Sequence, residues 1–202
     1  MKNIIIFASG TGSNALKLIE HFDGHPTVAV RAVFSNVANA PVLDKARNAG
    51  IDAIYFTKEA FQDPEFTKRL DEYHCDWIIL AGFLWLVPEY LIQHMGGRII
   101  NLHPALLPSY GGKGMYGARV HQAVIESKEN HSGITIHLVD GHYDHGEILF
   151  QALCSVETND TPESLANKIH ELEWKYLPII CEKTISQGVD FVKQMSENKA
   201  YR

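Results

Sequence analysis

The run Ile4-Ile5-Ile6-Phe7-Ala8 is broken at once by Ser9-Gly10-Thr11-Gly12-Ser13-Asn14, and that junction constrains the fold more than any other part of the chain. A continuous β-branched run is what a strand covered on both faces needs. The residues behind the glycines, Asn14 to Phe22, carry Leu16 and Ile19 at helical spacing. Strand, tight loop and helix in that order open a βαβ unit, and the alternation continues. Val28–Phe34, Ala53–Phe56, Trp77–Ala81 and Ile99–Leu102 read as strands. Pro41–Ala49, closed by Gly50, and the charged Pro64–Tyr73 read as helices between them. The pattern predicts an α/β fold: a doubly wound, mostly parallel sheet with helices on both faces.

The pattern changes after Asn101. His103 to Tyr116 holds Pro104, Pro108, Gly111, Gly112 and Gly114, too many breakers for an element and too long a stretch for filler. A helix over Tyr116–Ser127 follows. Gly133–Val139 alternates strictly, and with Glu147–Val156 it predicts an antiparallel strand pair at one side of the sheet. Thr161-Pro162-Glu163 is a strong helix start, and a long helix runs on to Thr184. Asn198 to Arg202 reads as a frayed end. No repeat, linker or second-domain boundary interrupts the 202 residues, so one domain is expected.

Charge and cysteine usage exclude several classes. The formal net charge is −6, and Lys and Arg are scattered, which leaves no footprint for nucleic acid. No apolar run is long enough to span a membrane. Cys75, Cys154 and Cys181 are odd in number and far apart, which argues for reduced thiols and a cytoplasmic protein.

Two regions carry candidate chemistry. Gly10-Thr11-Gly12-Ser13-Asn14-Ala15 opens the first helix, where free backbone N–H groups and the helix dipole favour an anion. It matches the GxGxxA form of a dinucleotide loop, but the second strand ends in Phe34-Ser35-Asn36, without the acid that holds a ribose. No Lys follows the last glycine, so it is not a Walker loop. The readings left are a site for one phosphate on Gly12, Ser13 and Asn14, or a tight turn with a capping side chain. In the fifth strand, period-two geometry puts Asn101 and His103 on one side at the carboxyl end, where open α/β sheets bind ligands. An amide donor beside an imidazole suits an oxygen that gains negative charge; the alternative is a capping Asn and a His bonded to backbone. The cluster Asp140-Gly141-His142-Tyr143-Asp144-His145-Gly146-Glu147, with His137, offers metal ligands but no metal-site spacing, and no metal is expected. One carboxylate, Asp144, could instead pair with His103, orient its ring and favour its charged form.

The segments Ala8–Asn14, Leu80-Ala81-Gly82-Phe83, Asn101-Leu102-His103-Pro104-Ala105-Leu106-Leu107-Pro108, Gly133–His137 and Asp144-His145-Gly146 occur in order along almost the whole chain. Together they resemble the folate-dependent formyltransferases, and within them the phosphoribosylglycinamide formyltransferase branch. The resemblance implies a formyltransferase-type Rossmann-like domain with a phosphate-binding half near 1–100 and a folate and catalytic half near 101–184. It implies formyl transfer from 10-formyltetrahydrofolate, as cosubstrate, to the amine of phosphoribosylglycinamide. Gly12, Ser13 and Asn14 would hold the substrate phosphate, and Glu173, in the stretch His170-Glu171-Leu172-Glu173, its ribose or amine. The pterin would lie between Leu84-Trp85-Leu86-Val87 and Asp140-Gly141-His142-Tyr143-Asp144, with Lys58 on the folate's acidic tail and Asn101 shared. Asn101, His103 and Asp144 would be the catalytic trio, and Leu107–Pro108 a cis peptide. Trp85, where many relatives carry Arg, and Gly112-Lys113-Gly114-Met115 depart from the family pattern. The same resemblance allows a formyltetrahydrofolate deformylase or a sugar-nucleotide formyltransferase, although those usually carry longer chains. A folate- or nucleotide-binding module without activity is the reading from another class. The implied partners are small molecules, and a homodimer is compatible with the sequence.

Overall fold

The computed structural model describes residues 1–192, so the expected frayed end at 198–202 lies outside the described residues. Seven strands form one sheet in the order β3-β2-β1-β4-β5-β6-β7: β1 Lys2–Phe7, β2 Val28–Ser35, β3 Asp52–Tyr55, β4 Trp77–Leu80, β5 Ile99–His103, β6 His131–Leu138 and β7 Ile148–Ser155. β1 pairs parallel with β2 and β4, β2 with β3, and β4 with β5. β6 and β7 pair antiparallel. The mostly parallel sheet with an antiparallel pair at one side is the architecture read from the sequence. By compactness the chain divides into two units, Met1–Asn101 and the part from Leu102 onward.

In the first unit, Ile4, Ile5, Ile6 and Phe7 are fully buried, as a central parallel strand requires. Phe7 stacks on Phe34 at 5.4 Å and meets Phe56, Phe61, Phe66 and Phe83 in one aromatic cluster. Each such side chain contributes about 1.5–3 kcal/mol on burial, so this cluster anchors the strands. Helix α1 spans Ser13–Phe22 and α2 Pro41–Asn48. The helix expected over Pro64–Tyr73 is two pieces, a 3₁₀ turn Pro64–Phe66 and α4 Thr67–Glu72, because Asp63 caps the turn by accepting the Glu65 N–H at 2.9 Å. Two short helices escaped the sequence reading. α3, Lys58–Gln62, is capped by Thr57, and α5, Glu89–Met95, ends at Gly96 in the left-handed region. Runs of five and seven residues carry too few turns for a readable period.

In the second unit, α6 spans Ala118–Glu126 and α7 Pro162–Gln187. α7 starts where the sequence placed it. The Thr161 hydroxyl accepts the Ser164 N–H at 3.1 Å, while the Ser164 hydroxyl accepts the Thr161 N–H at 2.9 Å. This capping box contributes about 1 kcal/mol to the helix start.

Candidate active site

Register fixes which chain segments share the carboxyl edge of the first unit. Phe7, Leu80 and Asn101, at or near the ends of β1, β4 and β5, lie level across the sheet. The chain leaves β1 toward β2 on one side and β4 lies on the other, so β1/β4 is the point where winding reverses and ligands are accommodated. Ser9 organises this crevice. Its hydroxyl donates to Asn36 Oδ1 at 2.7 Å and accepts the Leu84 N–H at 3.0 Å. Residue by residue, Ser9 gave only a loop signal, because its two partners are 27 and 75 positions away.

Beyond Ser9 the glycine loop enters α1. Gly12, at φ +75°, is the N-cap residue and so has no side chain to offer, and no acid stands in the first turn. A Cβ on Gly12 would collide with the Val42 side chain. Glycine is required here by backbone conformation and by α2, not only by the approach of an anion. After β4, Leu84 and Leu86 are exposed while Val87 is buried. The Trp85 ring turns inward, about 6 Å from those of Phe56, Phe61 and Phe83. Lys58, the first residue of α3, is exposed.

Asn101 and His103 stand two apart on β5, hence on one face; Asn101 is half-buried and His103 buried. His103 Nδ1 lies 3.4 Å from Asp144 Oδ2, so the expected pair is formed. Its Nε2 lies 2.8 Å from the carbonyl oxygen of Tyr110. Both partners are acceptors, so each ring nitrogen faces an oxygen. The Asp144 carboxylate also accepts the Gly112 N–H at 3.0 Å, and His137 Nε2 stands 3.8 Å away. Burial alone would raise the Asp144 carboxyl. The bonds from His103 and His137, the His103 charge and the Gly112 N–H outweigh it and hold the group well below the usual carboxylate range. Tyr110 and Asp144 both adopt positive φ, +57° and +54°, a conformation that costs about 1–2 kcal/mol in a non-glycine residue. Leu107–Pro108 is cis, as the resemblance implied.

His137 was weighed in the sequence only as a metal ligand. Its Nδ1 lies 2.7 Å from the Leu138 carbonyl oxygen, and its ring flanks Asp144. β6 is buried without a break from Ser132 to His137, so alternation along the strand gave no signal for this inward placement. The remaining loop residues divide. Asp140 bonds His145 Nδ1 at 2.7 Å and the His142 N–H at 2.8 Å, whereas His142 and Tyr143 are exposed. Asp140, His142 and His145 are the group of side chains among the described residues that could converge on a cation. Gly141 is half-buried between them.

On α7, Glu173 is buried, and its Oε2 lies 2.9 Å from His170 Nδ1. The Glu173 carboxylate raises the His170 pKa against the opposing effect of burial. Glu171 projects into solvent and Leu172 is half-buried, so the stretch brings together His170 and Glu173, one helical turn apart. Burial lowers the pKa of His121, which faces His103, His170 and Glu173. Burial likewise pushes the Cys75 thiol up to about 12, so it is not an available nucleophile.

The family model for formyl transferase matches residues 2–180. The chloroplastic phosphoribosylglycinamide formyltransferase of Arabidopsis thaliana is 40% identical over 202 residues, covering 95% of this chain and 69% of the relative. The phosphoribosylglycinamide formyltransferase of Escherichia coli K12 is 32% identical over 205 residues, 98% of this chain and 92% of the relative. The crystal structure of phosphoribosylglycinamide formyltransferase from Bacillus halodurans superposes with a TM-score of 0.83 at 30% identity, covering 92% of this chain and 96% of that one.

Proposed function

The chain belongs to the formyl transferase family, and on that premise we propose that it passes the formyl group of 10-formyltetrahydrofolate to the glycine amine of 5-phosphoribosylglycinamide, yielding N-formylglycinamide ribonucleotide in purine biosynthesis. The observation that carries this reading is the His103–Asp144 pair at the end of β5, with Asn101 two residues before it. The neutral amine attacks the formyl carbon, and negative charge grows on the formyl oxygen. The Asn101 amide and the His103 imidazolium donate to that oxygen, worth about 2.7–4 kcal/mol per donor in such sites. Asp144 keeps the ring oriented and charged. As the tetrahedral intermediate collapses, the carbon–N10 bond breaks, and the amine's proton reaches the departing folate nitrogen through His103 or a water.

His103 Nε2 already donates to Tyr110, so the formyl oxygen takes the place of that carbonyl in the reactive complex. Gly12, Ser13 and Asn14 receive the substrate phosphate at the start of α1, where the N-cap is a glycine and no acid stands in the first turn. Glu173, with His170, meets the ribose or amine. The exposed Leu84 and Leu86 offer apolar surface to the pterin, the backbone from Asp140 to Asp144 its polar edge, and Lys58 a cation to the folate's acidic tail. These steps use no metal. Among the described residues no helix is long and apolar enough to cross a membrane, and Cys75, Cys154 and Cys181 are free, in keeping with a cytoplasmic enzyme.

The test mixes purified protein with 10-formyltetrahydrofolate, with and without phosphoribosylglycinamide. Folate release that needs the amine and yields formylated nucleotide is expected. Equal release without the amine would make the protein a hydrolase, and none in either mixture a binding module.

A further inference from the structure

The segment between His103 and Tyr110 is held from below by two side chains that the mechanism above does not use. Thr135, fully buried on β6, spends its whole hydrogen-bonding capacity here. Its hydroxyl donates to the Ala105 carbonyl at 2.7 Å, and accepts the Leu107 N–H at 3.0 Å and a Gln151 Nε2 proton at 2.9 Å. Gln151 is the residue directly opposite Thr135 on β7. Its Nε2 donates a second time, to the Leu107 carbonyl at 3.0 Å. Ala105 and Leu107, two and four residues after His103, are thus tied to the β6–β7 pair.

The other end of the same segment is held by the reacting groups themselves. The Tyr110 carbonyl takes His103 Nε2, and the Gly112 N–H takes Asp144. A Cβ on Gly111 would stand 3.2 Å from that of Asp144, so the chain here passes directly over the carboxylate. One end rests on groups with no other role, and the other on groups that substrate must reach.

We propose that Gln151, through Thr135, is a positioning residue for His103: the pair anchors Ala105 to Leu107, so that Tyr110 can give up Nε2 to the formyl oxygen while the imidazole keeps its place. The proposal rests on the reading of His103 as a donor to that oxygen. Anchoring matters because Pro104 to Leu107 continue directly from the histidine. If they relax when Tyr110 leaves, the ring moves with them, and a displacement near 1 Å is enough to cost about 10²-fold in rate. β6–β7 pairing supplies the stiffness, since Thr135 and Gln151 are held opposite each other by the ladder.

The test compares Gln151→Met, Thr135→Val and Thr135→Ser with the parent. Gln151→Met keeps length and removes both donated bonds. Thr135→Val keeps shape and removes the hydroxyl, and Thr135→Ser restores it. For Gln151→Met and Thr135→Val, kcat falls by roughly 10- to 100-fold, while KM for both substrates changes little. In these two variants the ¹⁵N ring signals of His103, recorded without substrate, broaden or shift. Thr135→Ser keeps the parent's kcat and ring signals. Parent-like kcat and ring signals in Gln151→Met overturn the proposal, as does Thr135→Ser falling as far as Thr135→Val, because restoring the hydroxyl would then restore nothing. Should Thr135→Val fail to fold, Gln151→Met and Thr135→Ser still decide. A parent without amine-dependent transfer would refute the proposed function instead, and the ring signals of the same variants would still judge the anchor.

Discussion

Asp144→Asn isolates the charge of the carboxylate from its shape. In the parent, Asp144 Oδ2 faces both His103 Nδ1 at 3.4 Å and the Gly112 N–H at 3.0 Å. Both contacts fall on one oxygen, so an asparagine keeps both as acceptor with its NH₂ toward His137, but the oxygen that faces His103 no longer carries a charge. Loss of a charge-assisted hydrogen bond weakens the hold on the second ring proton by about 1.5–3 kcal/mol. At 1.36 kcal/mol per tenfold in rate, that lowers turnover by about 10- to 100-fold. Binding of nucleotide, at the start of α1, changes far less. The measurements are rate against pH for the parent, Asp144→Asn and Asp140→Asn, with His103 ring nitrogens followed by ¹⁵N NMR. Asp140 shares the loop but bonds His145 instead, so Asp140→Asn keeps the parental profile. Parental turnover in Asp144→Asn would refute the trio.

The other expectations follow from single contacts. The depressed Asp144 carboxyl stabilises the fold above the unfolded value of about 3.9 and loses that contribution as pH falls below it; melting temperature against pH should therefore drop less steeply on the acid side in Asp144→Asn. Gly12→Ala should destabilise by about 1–3 kcal/mol in urea unfolding, and adding Val42→Ala should recover the collision but not the cost of positive φ; full recovery would contradict the backbone argument. Glu173→Gln should raise KM for the nucleotide and lower the His170 pKa, so the stability this pair adds at low pH and loses as pH rises disappears; an unchanged His170 titration would count against the pair. Turnover should survive exhaustive chelation, and a loss restored by zinc would direct attention to Asp140, His142 and His145.

The sheet was legible because burial on both faces writes itself into consecutive residues. Ile4 to Ala8 and Trp77 to Leu80 are apolar without a break, and both are buried throughout. Thr161-Pro162-Glu163 announced α7 through capping chemistry, which depends on neighbours alone. The failures were local elements too short to show a period, α3 and α5, and the run from Pro64, where Asp63 diverts the chain into a 3₁₀ turn. Trp85 illustrates a different limit. Its departure from the family pattern was visible, but its packing on Phe56, Phe61 and Phe83 depends on residues 2 to 29 positions away.

The candidate site was legible in its parts and not in its bonding. Spacing put Asn101 and His103 on one face, and chemistry suggested a carboxylate for the ring, yet Asp144 lies 41 positions on and only the fold brings it to 3.4 Å. What no pattern of side chains could reveal is the backbone's share. The Tyr110 carbonyl and the Gly112 N–H carry no residue signature, but they complete the coordination of the histidine and the carboxylate. Their presence changes how the site must work. With an acceptor at each ring nitrogen, the imidazole is oriented before any substrate arrives, as the proposed stabilisation of an oxyanion would require. In the proposed reaction the ring would exchange the Tyr110 carbonyl for the formyl oxygen and keep an acceptor throughout. That exchange is favourable only as negative charge grows on the oxygen, because a neutral formyl group is no better an acceptor than a peptide carbonyl. On the proposed function, the bond to Tyr110 would thus give His103 a reason to prefer the transition state over the bound ground state, which is the difference that accelerates a reaction.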